Sequence, residues 1–139
     1  MKAMICFWGL SEIGKTPAIK TIWQNLKNGS NPPLDTSSDD ICDIVYLDGH
    51  KIGIESQGDP DSKQKEWIDE LIKEECEIII CASRTKGSTV EVVESRAKDY
   101  GYELIWLSPL SSIQISLHPD LNSITSESII KLIKILIAK

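Results

Sequence analysis

Three continuous apolar runs set the architecture of this 139-residue chain: Lys2 to Trp8, Glu77 to Ala82 and Glu103 to Leu107. Each is too short for a stable helix and is followed by turn-forming residues. None shows the polar alternation of a strand with one wet face, so each reads as a strand inside a parallel sheet covered on both sides. Between them the apolar spacing changes to the helical period. Ala18, Ile19, Ile22, Trp23 and Leu26 share a face over Thr16 to Asn28, and Gly29 follows as a C-cap. Trp67, Ile68, Leu71 and Ile72 do the same over Asp61 to Glu75, and Val90, Val93 and Ala97 over Ser88 to Tyr100, which ends at Gly101. Thr125 to Ala138 forms a closing helix after an irregular stretch from Leu110 to Ser123. Ile41 to Leu47 and Lys51 to Ser56 are two more strand-like runs, joined through Asp48-Gly49, a dipeptide that favours a tight hairpin turn. The order strand, helix, hairpin, helix, strand, helix, strand, helix predicts an α/β fold. Its form is a three-layer α/β/α sandwich with a mostly parallel sheet and one β-hairpin, in a single domain over residues 1–139.

Fifteen Lys+Arg against 21 Asp+Glu give a formal charge of −6. That balance argues against a nucleic-acid coat protein, which needs surplus cations to neutralise phosphates. The N-terminal apolar run passes into Ser11, Glu12 and a Gly-Lys pair with no small-residue cleavage site. The apolar run Ile129 to Ile137 is broken by Lys131 and Lys134 and falls short of the ~20 residues of a bilayer span. A cytoplasmic protein without membrane or nucleic-acid partners is the expectation. Cys6, Cys42, Cys76 and Cys81 lack Cys-x-x-Cys spacing and read as small buried hydrophobes in a reducing compartment. Trp8, Trp23, Trp67 and Trp106 read as packing residues. His50, in the hairpin turn, and His118, in the loop before Pro119, stand apart from other metal-ligating types.

In parallel sheets of this kind the ligand site lies beyond the carboxyl ends of the strands. The candidate stretches are therefore Gly9 to Thr16, Ser56 to Asp59, Ser83 to Lys86, and Ser108 onward. The first, Gly9-Leu10-Ser11-Glu12-Ile13-Gly14-Lys15-Thr16, matches G-x-x-x-x-G-K-[ST]. Chance would produce that match in roughly half a percent of chains this long. It also lies between a buried strand and a helix, where backbone N–H groups and a helix N-terminus form an anion site. The glycines let the backbone curl around phosphate, Lys15 adds positive charge, and the Thr16 hydroxyl suits a magnesium ion.

On this motif the chain resembles the P-loop NTPase superfamily. The resemblance implies binding of ATP or GTP with Mg²⁺, cradled by the backbone from Gly9 through Leu10, Ser11, Glu12, Ile13, Gly14, Lys15 and Thr16 to position 17. Two residues depart from the pattern. Pro17 has no N–H to give the α-phosphate, and Glu12 puts a carboxylate among the phosphates. Both motivate an alternative, a degenerate loop in a binding or interaction module without catalysis.

The long loop from Gly29 to Asp40 followed by a hairpin resembles the small-GTPase-like branch, in which the second hairpin strand ends in Asp-x-x-Gly. Here Glu55-Ser56-Gln57-Gly58 occupies that place, which assigns Glu55 to the metal-bound water and the Gly58 N–H to the γ-phosphate by resemblance. Thr36 is similar in position to the switch threonine that closes on Mg²⁺. The guanine-reading Asn-Lys-x-Asp is absent; the nearest string is Thr85-Lys86-Gly87-Ser88. The rival is a small-molecule kinase, in which Arg84, directly after a buried strand, neutralises charge on the transferred group while Arg96 stays solvated. Strand order, which separates the two branches, is not written in periodicity. The resulting expectation is a nucleotide-binding protein that hydrolyses NTP slowly or transfers its γ-phosphate. Lys15, Glu55 and Arg84 would be catalytic, and Thr16, Glu55 and Thr36 would hold the metal. With no insertion long enough for a lid, a protein partner or self-association would complete the site.

Overall fold

Strand β1 (Ala3–Trp8) runs through the interior of a five-stranded sheet in the computed structural model, which describes residues 1–9, 14–28 and 40–139. It leads to α1 (Lys15–Asn28), the hairpin β2 (Cys42–Leu47) and β3 (His50–Glu55), α2 (Gln64–Lys73), β4 (Ile78–Ser83), α3 (Ser88–Tyr100), β5 (Glu103–Leu107) and α4 (His118–Ile137). The strand order is β2-β3-β4-β1-β5. β1 pairs in parallel with β4 and β5, β3 pairs in parallel with β4, and β2 alone is antiparallel. Placing β4 between β1 and β3 resolves the order that periodicity left open.

Alternation along β1 splits the core into two. Ala3, Ile5 and Phe7 face α1 and α4, meeting Ile19, Ile22, Ile129 and Ile133. Met4 and Cys6 face α2 and α3, meeting Ile68, Leu71 and Val93. Helices therefore cover both faces, which explains why the central strands carry apolar residues without alternation. Burying each such Ile or Leu contributes about 1.5–3 kcal/mol.

The hairpin turns where Asp48-Gly49 predicts it, with φ of 51° at Asp48 and 83° at Gly49. Positive φ at both central residues matches the right-handed twist of the flanking strands. Gly101, at φ 75° and ψ 30°, closes α3 in the left-handed conformation.

Four expectations need correction. α4 starts at His118, not Thr125. Pro119 in its first turn is a start signal, but the inward face there is polar, with Thr125 and Ser126 buried while Leu117 and Ile124 are exposed, so apolar periodicity begins too late. α2 starts at Gln64 because Asp61, at φ 57°, cannot belong to a right-handed helix. Trp8 is 37% exposed and makes an edge-on pair with Trp106, their centroids 5.9 Å apart. Arg96 pairs with Asp69 through Nε at 2.7 Å and ties α3 to α2. Two further features bear on the cysteine and histidine readings. All four cysteines are free, with Cys42 only half-buried. His50 bonds to Glu77 through Nδ1. Gly29 and nearly all of the long loop, Thr36 included, lie outside the described residues, as do Leu10 to Ile13. No helix among the described residues is long and apolar enough to cross a membrane.

Replacing Gly49 by Val should lower stability by about 1–2 kcal/mol, because a β-branched residue resists positive φ. Urea denaturation of the two proteins checks this, with the expected loss in midpoint and no change in slope.

Candidate functional site

The carboxyl ends of β1, β3 and β4 and the first turn of α1 converge on one cavity of about 660 Å³. Lys15, Thr16, Asp40, Asp59 and Arg84 all line it, with Gly14, Pro17 and Gly58. Lys15 is the first residue of α1 and is buried. Its Nζ donates to the carbonyl of Gly9 at 2.8 Å and to that of Ser83, the last residue of β4, at 2.9 Å. Burial lowers the Lys15 pKa, the Asp59 carboxylate opposes that shift, and Arg84 adds to it. An anion entering the cavity would restore what burial removes. The first turn of α1 carries no acidic residue, so the positive end of the helix is not offset by its own side chains.

Thr16 turns its hydroxyl toward Asp40, donating to Oδ1 at 3.3 Å. Ser56, beyond β3, donates to the same oxygen at 2.9 Å and accepts from the Ile41 N–H at 2.8 Å. Three oxygen-bearing side chains from three segments thus meet at the cavity wall. Asp40 is a residue sequence reasoning missed as a site residue. It ends an acidic loop and carries no motif, and only the way β2 enters the sheet brings it to Thr16.

Glu55 does not line the cavity. It is fully buried; Oε2 accepts from the Ala82 N–H at 2.9 Å and Oε1 from the Gln57 N–H at 3.0 Å. The reason is side-chain direction: the next residue, Ser56, reaches the site, with its carbonyl oxygen 3.4 Å from Thr16 Oγ1, while the Glu55 carboxylate turns to β4. The β3–β4 register ends at Ile54 and Ile80, and the Glu55 carboxylate takes up the Ala82 N–H as β3 leaves the sheet. Desolvation pushes the Glu55 pKa well up, against the pull of the two backbone N–H groups.

Gly58 is required by close approach: a Cβ there would lie 2.7 Å from Ser83 N and 2.8 Å from the Ala82 carbonyl carbon. Arg84 does reach the cavity, but its Nε is held by Asp59 Oδ1 at 2.8 Å. Its loop is fixed from behind, since the Arg84 N–H donates to Thr89 Oγ1 and buried Gln64 bonds both the Ala82 and Thr89 carbonyls. His118, which the sequence places in a loop, lines the rim from the first turn of α4. Among the described residues no cluster of three or more His, Cys, Asp or Glu could hold a metal on its own.

No protein-family model, curated protein or solved structure matches this chain.

The burial of Glu55 has a pH signature. A carboxyl whose pKa is raised on folding contributes stability that is complete below its ordinary value of 4.5 and is lost as pH rises through the folded value. Glu55→Gln keeps the shape but loses one acceptor, which should cost about 1–3 kcal/mol. Urea titrations from acid to neutral pH should show the wild-type advantage over the Gln variant shrinking as pH rises. A constant gap would mean that folding leaves the Glu55 pKa unshifted, and a gap that widens with pH that Glu55 is already ionised in the fold at low pH.

Proposed function

We propose that this chain binds a nucleoside triphosphate with Mg²⁺ through the segment from Gly9 to Thr16. The observation that carries the reading is the position of Lys15. The one lysine that the G-x-x-x-x-G-K-[ST] pattern singles out is buried at the mouth of a cavity, held by two strand-end carbonyls beside the N-terminus of α1. A surface lysine on an ordinary turn would have no reason to accept that desolvation. On this reading the domain has the P-loop NTPase fold.

The donors present suit magnesium, a hard cation that prefers oxygen and keeps ligands from phosphate and water. Thr16 and Asp40 would hold it, with Ser56 orienting the Asp40 carboxylate. When bound, Mg²⁺ offsets the negative charge of the phosphate oxygens. Lys15 would bind the anion, and Gly58 lines the same cavity. Arg84 turns toward the phosphates by giving up Asp59, an exchange of one anionic partner for another. Asp40 replaces Glu55 in the metal role, and Glu55 positions the end of β4.

Slow hydrolysis or phosphoryl transfer is the activity this arrangement supports. The second reading, a binding module without catalysis, draws on Pro17, which lines the cavity without an N–H to offer.

Calorimetric titration with MgATP and MgGTP tests the reading. Micromolar binding should be lost in Lys15→Ala, and the Mg²⁺ requirement should weaken in Asp40→Asn while Glu55→Gln retains it. Absence of heat with either nucleotide at about millimolar concentration overturns nucleotide binding. Binding without turnover favours the second reading.

A further inference from the structure

The longest uncharged run of the sequence is Leu104 to Pro119, in a chain that is 26% Asp, Glu, Lys and Arg. Its second half lies on the surface. Ile113 is fully exposed, Ile115 is 77% exposed, and Leu110 and Leu117 are about half exposed. Ile124, one to two turns along α4, is also half exposed. The first four residues of the run, Leu104 to Leu107, belong to β5, the outer strand of the sheet, which begins at the exposed Glu103 and is paired on one side with β1. A strand edge and an apolar strip that follow each other in sequence, with no charge from Leu104 to Pro119 to deter association, are what natural proteins guard against when they are to stay monomeric.

We infer that this strip, from Leu104 to Leu117, is the contact through which two copies of the chain associate. Charge identifies the occupant. Each copy carries −6, so two copies repel unless they meet where neither presents a carboxylate. A two-fold contact sets the same patch against itself, and an uncharged patch satisfies that condition without pairing like charges. A lipid surface fits less well. Lys and Arg, which anchor interfacial segments to headgroups, are missing, and Ser111, Ser112, Gln114 and Ser116 alternate with the apolar residues. Those hydroxyl and amide groups instead suit the hydrogen bonds of a protein interface. The strip also borders the candidate site: Gly14, Pro17 and His118 line both the site and a second cavity of about 460 Å³ whose wall includes Leu110 and Ile113. A second copy seated there stands at the rim of the site. The inference holds whether or not that site binds nucleotide.

Sedimentation velocity on the full chain over about 1–200 μM tests it, beside Ile113→Lys/Ile115→Lys, whose side chains are exposed and leave the core intact. Wild type should show a monomer–dimer equilibrium. The double variant should raise the dissociation constant at least about tenfold with an unchanged thermal melt. Raising salt should leave the wild-type dimer intact or tighten it, since the contact holds no ion pair and only the overall repulsion is screened. A monomer at every concentration overturns the inference, as do a dimer indifferent to the double variant, dissociation by salt, or open-ended assembly. A monomer that sediments with neutral phosphatidylcholine vesicles assigns the strip to a lipid surface and overturns it equally.

Discussion

Where β4 ends, its last carbonyl accepts two hydrogen bonds: Gly9 N–H donates to Ser83 O at 3.1 Å, and Lys15 Nζ donates to it at 2.9 Å. The first extends the β1–β4 ladder by one step, and the second draws the start of α1 down onto the sheet. Together they fix both ends of the segment from Gly9 to Lys15 against one atom of a neighbouring strand. The rest of the site follows from that anchor. With Lys15 seated, Thr16 faces outward to Asp40, and the first turn of α1 opens on the cavity. Ser83 is held in turn by a frame behind it, in which Gln64 bonds the Ala82 carbonyl and Glu55 takes the Ala82 N–H.

That frame gives Glu55 a purpose other than chemistry. A buried carboxylate is costly unless its lone pairs are used, and here two backbone N–H groups use them. Both N–H groups belong to segments that converge on the cavity: Ala82 precedes Ser83, and Gln57 precedes Gly58. Gly58 approaches that same point so closely that no side chain fits. Glu55 and Gly58 thus bring the β3–α2 connection to the end of β4, and both are positioning residues of the site wall.

Local signals in the sequence carried most of the architecture. The apolar runs at β1, β4 and β5, the Asp48-Gly49 turn and the Gly101 cap each act within a few residues, and each forms where its pattern lies. What escaped depends on which segments become neighbours. The order β2-β3-β4-β1-β5 has no periodic signature, and it sets which strand ends meet Thr16: Asp40 and Ser56 reach it, while Glu55 turns its side chain to β4. The start of α4 escaped because its first turns bury hydroxyls: Ser126 accepts from Asn25 Nδ2 at 2.7 Å, a contact invisible to a hydrophobic pattern.

Charge is arranged in this chain by place rather than by total. An acidic molecule would ordinarily repel a polyphosphate, yet among the described residues the cavity sets Lys15 and Arg84 against Asp40 and Asp59, a local balance near neutrality. Each acid there has a partner of its own, Thr16 and Ser56 for Asp40 and Arg84 for Asp59. An incoming anion therefore competes with carboxylates for cations and hydroxyls already in place, so binding is an exchange whose net gain is smaller than the sum of its contacts. A cation that accompanies the anion changes that balance, because it turns Asp40 from a competitor into a ligand. On the proposed reading the arrangement would favour a metal-bound polyanion over a bare one.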